Sequence, residues 1–245
     1  MHENSTIHYL VCFYFGERRS KLFNYEFNKN KLFCLENHVN FLKTCGNKIK
    51  EATFVVNGTV PEGFYEYLNS NTLENVKINI KLRENIGYSY AAYNEIITEN
   101  LKNYINPDYY FLIEDDYIPI SKDFYEPFLN LMTDTNVFVC CYKNYIWQNP
   151  TRQHPAISNG LLKNEACKNV FNKHGLLFQY FGLSFGDACW AQEEFFSYFE
   201  EFNYEFCDIL ENYNMPFHNA IDDNYISYGK PEGEILINSI LKDLV

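Results

Sequence analysis

Tyr109-Tyr110-Phe111-Leu112-Ile113-Glu114-Asp115-Asp116-Tyr117 opens as an aromatic and aliphatic run and closes on three consecutive carboxylates. A short continuous apolar run bounded this way has the pattern of a strand buried on both faces. Adjacent carboxylates at the end of such a strand repel one another and resist desolvation. A divalent cation relieves that cost, because hard Mg²⁺ or Mn²⁺ prefers oxygen ligands and keeps positions open for phosphates. A solvated acidic loop is the plainer alternative, and the flanking sequence bears on the choice.

Upstream, short apolar runs alternate with helical patterns, which predicts a parallel sheet with crossover helices. His8 to Tyr14 reads as the first strand, followed by a polar loop with Gly16, Arg18, Arg19 and Lys21. Leu32, Leu35, Val39 and Leu42 have helical spacing, and Gly46 is a stop signal. Ala52 to Val56 is a second strand running into the turn signal Asn57-Gly58, and Pro61 to Leu68 a short helix with proline in its first turn. Val76 to Leu82 is a third strand leading into Arg83-Glu84-Asn85-Ile86-Gly87, and Tyr88 to Tyr104 a helix.

Downstream, Ser121 is placed to cap a helix through Leu131, and Val137 to Tyr142 is another buried strand. Beyond Ile146 the pattern loosens. Trp147 to Gly160, with Arg152 and His154, reads as a polar surface loop; Leu161 to His174 as a strand end and helix; Trp190 to Phe202 as an acidic, aromatic helix. No repeat or linker divides the chain, so the expectation is an α/β fold in one domain.

The bulk properties narrow the function classes. A chain of 245 residues that is 47% hydrophobic and 18% aromatic supports a large core. No apolar run is long enough for a transmembrane segment, and Met1 to Thr6 lacks a signal pattern, so the expectation is a soluble, cytoplasmic protein. A net charge of −12 without a basic stripe disfavours nucleic acid. The eight cysteines show no C-x-x-C pair, and the six histidines are scattered, so neither a disulfide framework nor a zinc site is expected. The sequons at Asn4 and Asn57 are accidental on this reading.

The order strand, Asn57-Gly58, strand, Arg83-x-Asn85-x-Gly87, helix, strand, Glu114-Asp115-Asp116 resembles the GT-A glycosyltransferases, particularly the family 2-like enzymes. The resemblance spans about His8 to Asn144. It implies a GT-A, Rossmann-like, mostly parallel sheet flanked by helices. Residues 1–117 would form a nucleotide-sugar-binding half and residues 118–245 an acceptor-binding half. The implied activity is metal-dependent transfer of a sugar from a nucleotide diphosphate donor to a glycan or other hydroxyl acceptor, with inversion. The alternative is a catalytically silent module that binds a nucleotide sugar or carbohydrate. The rival sugar-phosphate nucleotidyltransferases carry a glycine-rich loop after the first strand, whereas Gly16-Glu17-Arg18-Arg19 has a single glycine.

The resemblance assigns the metal, Mn²⁺ or Mg²⁺, chiefly to Asp116, with Glu114 second and His218 as a late ligand. Asp115 alternates to the opposite face of the strand, which would turn it toward the donor's ribose or sugar. Asn57 ends the second strand in the polar turn the family uses for the donor. Two readings stay open for the next turn. Gly87 lets backbone approach a ligand at a helix N-terminus, or is an ordinary turn glycine. Asn85 holds the turn or contacts the nucleoside, and Arg83 meets a donor phosphate or a surface carboxylate. In inverting members an acidic pair at the start of a late helix supplies the base. Glu194, then Glu193, then Asp187 are the candidates, against the plainer reading that first-turn acids complement the helix dipole. Trp190, just before the pair, is the candidate acceptor-sugar platform.

Overall fold

The computed structural model describes residues 4–16, 29–119, 122–141, 143–146, 149–157, 159–177, 182, 184–211 and 218–220. The first half follows the alternation read from the sequence: β1 (Ile7–Phe13), α1 (Phe33–Thr44), β2 (Ile49–Asn57), α2 (Phe64–Ser70), β3 (Lys77–Arg83), α3 (Tyr88–Lys102) and β4 (Tyr109–Glu114). β5 (Tyr117–Pro119), α4 (Glu126–Asn130) and β6 (Asn136–Cys140) follow. Then come β7 (Lys143–Ile146), β8 (Asn149–Pro155), β9 (Asn159–Lys163), α5 (Asn164–His174), α6 (Phe185–Glu194), α7 (Ser197–Glu200), β10 (Glu205–Asp208) and β11 (His218–Ala220).

Seven strands form one sheet in the order β10-β6-β9-β4-β1-β2-β3. β1, β2, β3 and β4 pair parallel, as do β6 and β10; β9 runs antiparallel between β4 and β6. The central strands are buried on both faces, and their side chains alternate between two apolar layers. Tyr9, Val11, Phe13, Phe111 and Ile113 pack toward α1, α2 and α4; Leu10, Cys12, Tyr110 and Leu112 pack toward α3, α5, α6 and α7. The chain is therefore a mostly parallel α/β sheet with helices on both faces.

The structure corrects the reading of the second half. The Trp147 to Gly160 stretch expected to be a surface loop holds β8, which pairs antiparallel with β7, and the first two residues of the buried strand β9. Gly160 suits that position because a Cβ there would lie 2.6 Å from the Phe138 ring and 2.9 Å from the Val139 carbonyl oxygen. The late acidic helix begins at Phe185, not Trp190. The helix expected from a Ser121 cap is the shorter Glu126–Asn130. Ser121, Trp147, Arg18, Arg19 and Lys21 lie outside the described residues.

Candidate functional site

The parallel register brings Cys12 opposite Glu114 and Asn57 opposite Arg83, so the ends of β1, β2, β3 and β4 share one edge of the sheet. In open α/β sheets this carboxyl edge is where ligands bind. The residues that arrive there come from segments far apart in sequence.

Glu114 ends β4, and the Ser89 hydroxyl donates to its Oε1 at 2.5 Å. Asp115 and Asp116 form the tight turn that follows, and both are buried. Asp115 is tied down by its neighbours. Its amide donates to the Cys12 carbonyl at 3.1 Å, and its Oδ2 accepts the Tyr14 amide at 3.0 Å. Its own carbonyl accepts from the His38 ring at 3.0 Å. The Asp115 carboxylate thus already has work in joining the acidic turn to the end of β1.

Next along the edge, Arg83 spreads its donors over the turn it begins. Nη1 reaches Asn57 Oδ1 at 2.6 Å, Nη2 reaches the Ile86 carbonyl at 2.8 Å, and Nε meets Glu95 at 3.0 Å. Asn57 in turn donates to Cys12 Sγ at 3.2 Å, so its buried amide is enclosed by protein and makes a poor glycosylation acceptor. Gly87 has φ of 70° and precedes the first turn of α3, and its amide donates to the Gly182 carbonyl at 3.0 Å. Glycine adopts this left-handed backbone without steric cost, which both readings of the position require. Tyr88, at φ 56°, also adopts this conformation, which is unusual for a bulky residue. Asn85 is half-buried within the turn.

The first turn of α3 also reaches the late helix. Ser89 touches Glu114, and the neighbouring Tyr90 hydroxyl donates to Gln192 Oε1 at 3.2 Å on α6. On α6, Ala188, Ala191 and Phe195 face the core. Trp190 is 41% exposed, and Glu193 and Glu194 are half-buried at the C-terminal end of the helix. That position corrects the expectation of a helix-start pair, and with it the dipole explanation, because carboxylates are favoured at the opposite end. Asp187 is the residue in the first turn. It closes a capping box with Ser184, accepting the Ser184 amide at 3.0 Å while its own amide donates to Ser184 Oγ at 3.1 Å. The Ser184-x-x-Asp187 spacing is a sequence signal for this helix start.

The β8 residues divide. Arg152 pairs with Glu200 at 2.6 Å. His154 is buried; desolvation lowers its pKa, opposed in part by the nearby Glu193 charge. Beneath the edge, burial raises the Tyr93 phenol well above its ordinary value, reinforced by Cys12 and Glu114, so it stays protonated.

Glu114 and Asp116 flank the fastened Asp115 and supply hard oxygen donors. Among the described residues no group of three or more His, Cys, Asp or Glu side chains is gathered to hold a metal. Two carboxylates still fit Mg²⁺ or Mn²⁺, which commonly take one or two from the protein and complete their shell with water and substrate phosphate. The His218 side chain lies outside the described residues; its backbone, in β11, is registered opposite Pro119 of β5, soon after the acidic turn.

No family model matches the chain, and no curated protein matches it in sequence. Among solved structures, it is similar to the mannosyltransferase PcManGT from Pyrobaculum calidifontis in complex with GDP-Man and Mn²⁺. That match has 11% identity and a TM-score of 0.52, over 82% of this chain and 54% of that one. The fold is GT-A. The chain spans about half the length of that GT-A mannosyltransferase. Looser matches are the glycosyltransferase GlyE in Streptococcus pneumoniae TIGR4 (11% identity, TM-score 0.40, 71% of this chain, 37% of that one) and a 4-diphosphocytidyl-2C-methyl-D-erythritol synthase (7%, 0.45, 83% and 87%). Among the described residues no helix is long and apolar enough to cross a membrane.

Proposed function

We propose that this chain is a metal-dependent glycosyltransferase that moves a sugar from a nucleotide diphosphate donor to a glycan or other hydroxyl acceptor, with inversion. The observation that carries the reading is the convergence of Asn57, the Arg83 to Gly87 turn and Glu114-Asp115-Asp116 on one carboxyl edge of a GT-A sheet. Residues 1–117 serve the donor and residues 118–245 the acceptor. Asp116 and Glu114 would hold Mn²⁺ or Mg²⁺, with His218 as the further ligand that the family resemblance implies. A cation held there would supply neutralising charge for the diphosphate leaving group.

The remaining roles belong to the chain itself. Arg83 holds Asn57 and the Gly87 turn in place, and Asn57, Asn85 and the Gly87 backbone meet the donor. Asp115 fastens the acidic turn to β1 and faces the donor's ribose or sugar. Glu194, or Glu193 one residue earlier, accepts the acceptor's hydroxyl proton as its oxygen attacks the anomeric carbon. The bond to the diphosphate oxygen breaks, and the nucleotide departs with the electron pair. Trp190 is the platform for the acceptor sugar. The eight cysteines show no C-x-x-C pair and no disulfide-framework spacing, and we place the activity in the cytoplasm.

A second reading, a binding module without transfer, is favoured by the acidic pair lying at the end of α6. Incubating the protein with a panel of nucleotide sugars and hydroxyl acceptors, in Mn²⁺ and in EDTA, separates the two. Cation-dependent release of nucleotide diphosphate with sugar transfer is the expected result. Cation-dependent binding without release would favour the binding module, and neither binding nor release would overturn both.

A further inference from the structure

Behind the acidic turn lies a histidine that no catalytic role requires. His38 sits on the buried face of α1, fully enclosed, with its ring packed edge-on against Phe13 at 5.5 Å between centroids. Nε2 lies 3.0 Å from the Asp115 carbonyl oxygen, and Nδ1 lies 2.9 Å from the Tyr9 hydroxyl. The chemistry of these partners settles the tautomer. A backbone carbonyl only accepts, so Nε2 carries the proton and donates. In the neutral ring Nδ1 then accepts, so the Tyr9 hydroxyl donates to it. Burial supports the neutral form by pushing the His38 pKa down to about 4.

We propose that His38 is the positioning residue of the acidic turn: Tyr9 fixes its tautomer, and its Nε2–H holds the Asp115 carbonyl so that Glu114 and Asp116 present their carboxylates together. The proposal rests on the reading of those two carboxylates as cation ligands. Asp115 is already anchored to β1 through its amide and carboxylate. His38 adds the restraint from the helix layer. Groups that orient ligands in this way commonly change metal affinity about 10–100-fold when altered.

Two near-isosteric variants separate positioning from packing. His38→Gln places an amide N–H near the Nε2 position and keeps the bond to Asp115, but loses the acceptor for Tyr9. His38→Asn keeps an acceptor for Tyr9 and loses the reach to Asp115. Two readouts are taken on each: amide hydrogen exchange across residues 113–117 in the free protein, and calorimetric affinity for UDP and GDP in Mn²⁺. His38→Asn is expected to exchange the turn about tenfold faster and to bind Mn²⁺–nucleotide about tenfold more weakly, with His38→Gln near wild type in both. Tyr9→Phe, which frees the tautomer, should shift both readouts in the direction of His38→Asn.

Equal turn exchange in the two His38 variants would overturn the proposal. So would a loosened turn in His38→Asn with undiminished nucleotide affinity. Wild-type protein that binds neither nucleotide in Mn²⁺ would refute the cation-site reading, and with it the ligand-presenting part of this proposal. The exchange data would then still decide whether His38 fixes the turn.

Discussion

His8 and His38 lie where water does not reach, and each is held by partners that suit a neutral ring. His8 bonds to Thr53 at 2.8 Å and to Asn100 at 3.2 Å; His38 bonds to Tyr9 and Asp115. Desolvation lowers both from 6.5 to about 4; Glu51 opposes the shift at His8, and the bond to Asp115 opposes it at His38. Between those values the unfolded chain binds protons that the folded chain does not, so stability must fall as pH falls from 6.5 toward 4. By pH 5 each ring should remove on the order of 2 kcal/mol, a large part of the typical stability of a domain. Urea unfolding at pH 7.5 and 5 should show the loss, smaller in His38→Gln by one ring's share; a midpoint independent of pH over this range would contradict it. Glu51, whose pKa lies below 4.5, acts at lower pH and does not confuse the window. Neither histidine announces itself in the sequence. His38 sits on the apolar face of α1 and reads as core, because its partners come from β1 and the acidic turn, 29 and 77 residues away. The turn signals at Asn57-Gly58 and Gly87 are legible locally. That Arg83 grips Asn57 is not, since only the register of β2 on β3 brings them together.

The elements of the first half are legible because β1, β4 and the end of β2 are apolar runs, β3 alternates apolar and polar residues, and each crossover helix carries its own period. β9 escapes that logic. Asn159-Gly160-Leu161-Leu162 begins with two loop-like residues, and its strand character comes from β4 and β6 on either side. Gly160 is needed there for close approach, so Gly160→Ala should drive a methyl into Phe138 and the Val139 carbonyl. We expect a loss of about 1–3 kcal/mol, measured by denaturant unfolding, whereas an unchanged midpoint would show the strands can part at no cost. α6 is the other instructive element. Its true start was available in the Ser184-x-x-Asp187 capping pattern, and the acidic pair then falls in the last turn. With the helix-dipole explanation removed, Glu194→Gln becomes a sharper test. Turnover should drop by about 10²–10⁴ while nucleotide affinity stays near wild type. If Glu193→Gln behaves that way and Glu194→Gln does not, the base is Glu193; near-normal transfer by both variants would remove the pair from the chemistry.

At the scale of the molecule, one sheet gathers residues from β1 through β4 along a single edge, and α3 links that edge to α6 through Ser89 and Tyr90. What that edge binds decides the function. On the proposed reading, a divalent cation on Asp116 and Glu114 would join a nucleotide diphosphate to the protein. Isothermal titration of UDP and GDP into the wild-type chain and into Asp116→Asn, each in Mn²⁺ and in EDTA, tests it most directly. At least one nucleotide should bind wild type in Mn²⁺ and weaken sharply in EDTA. Asp116→Asn should lose at least the 10–100-fold that even supporting partners of a metal site cost, with its fold intact by circular dichroism. Affinity that is the same with and without the cation, in both proteins, would contradict it.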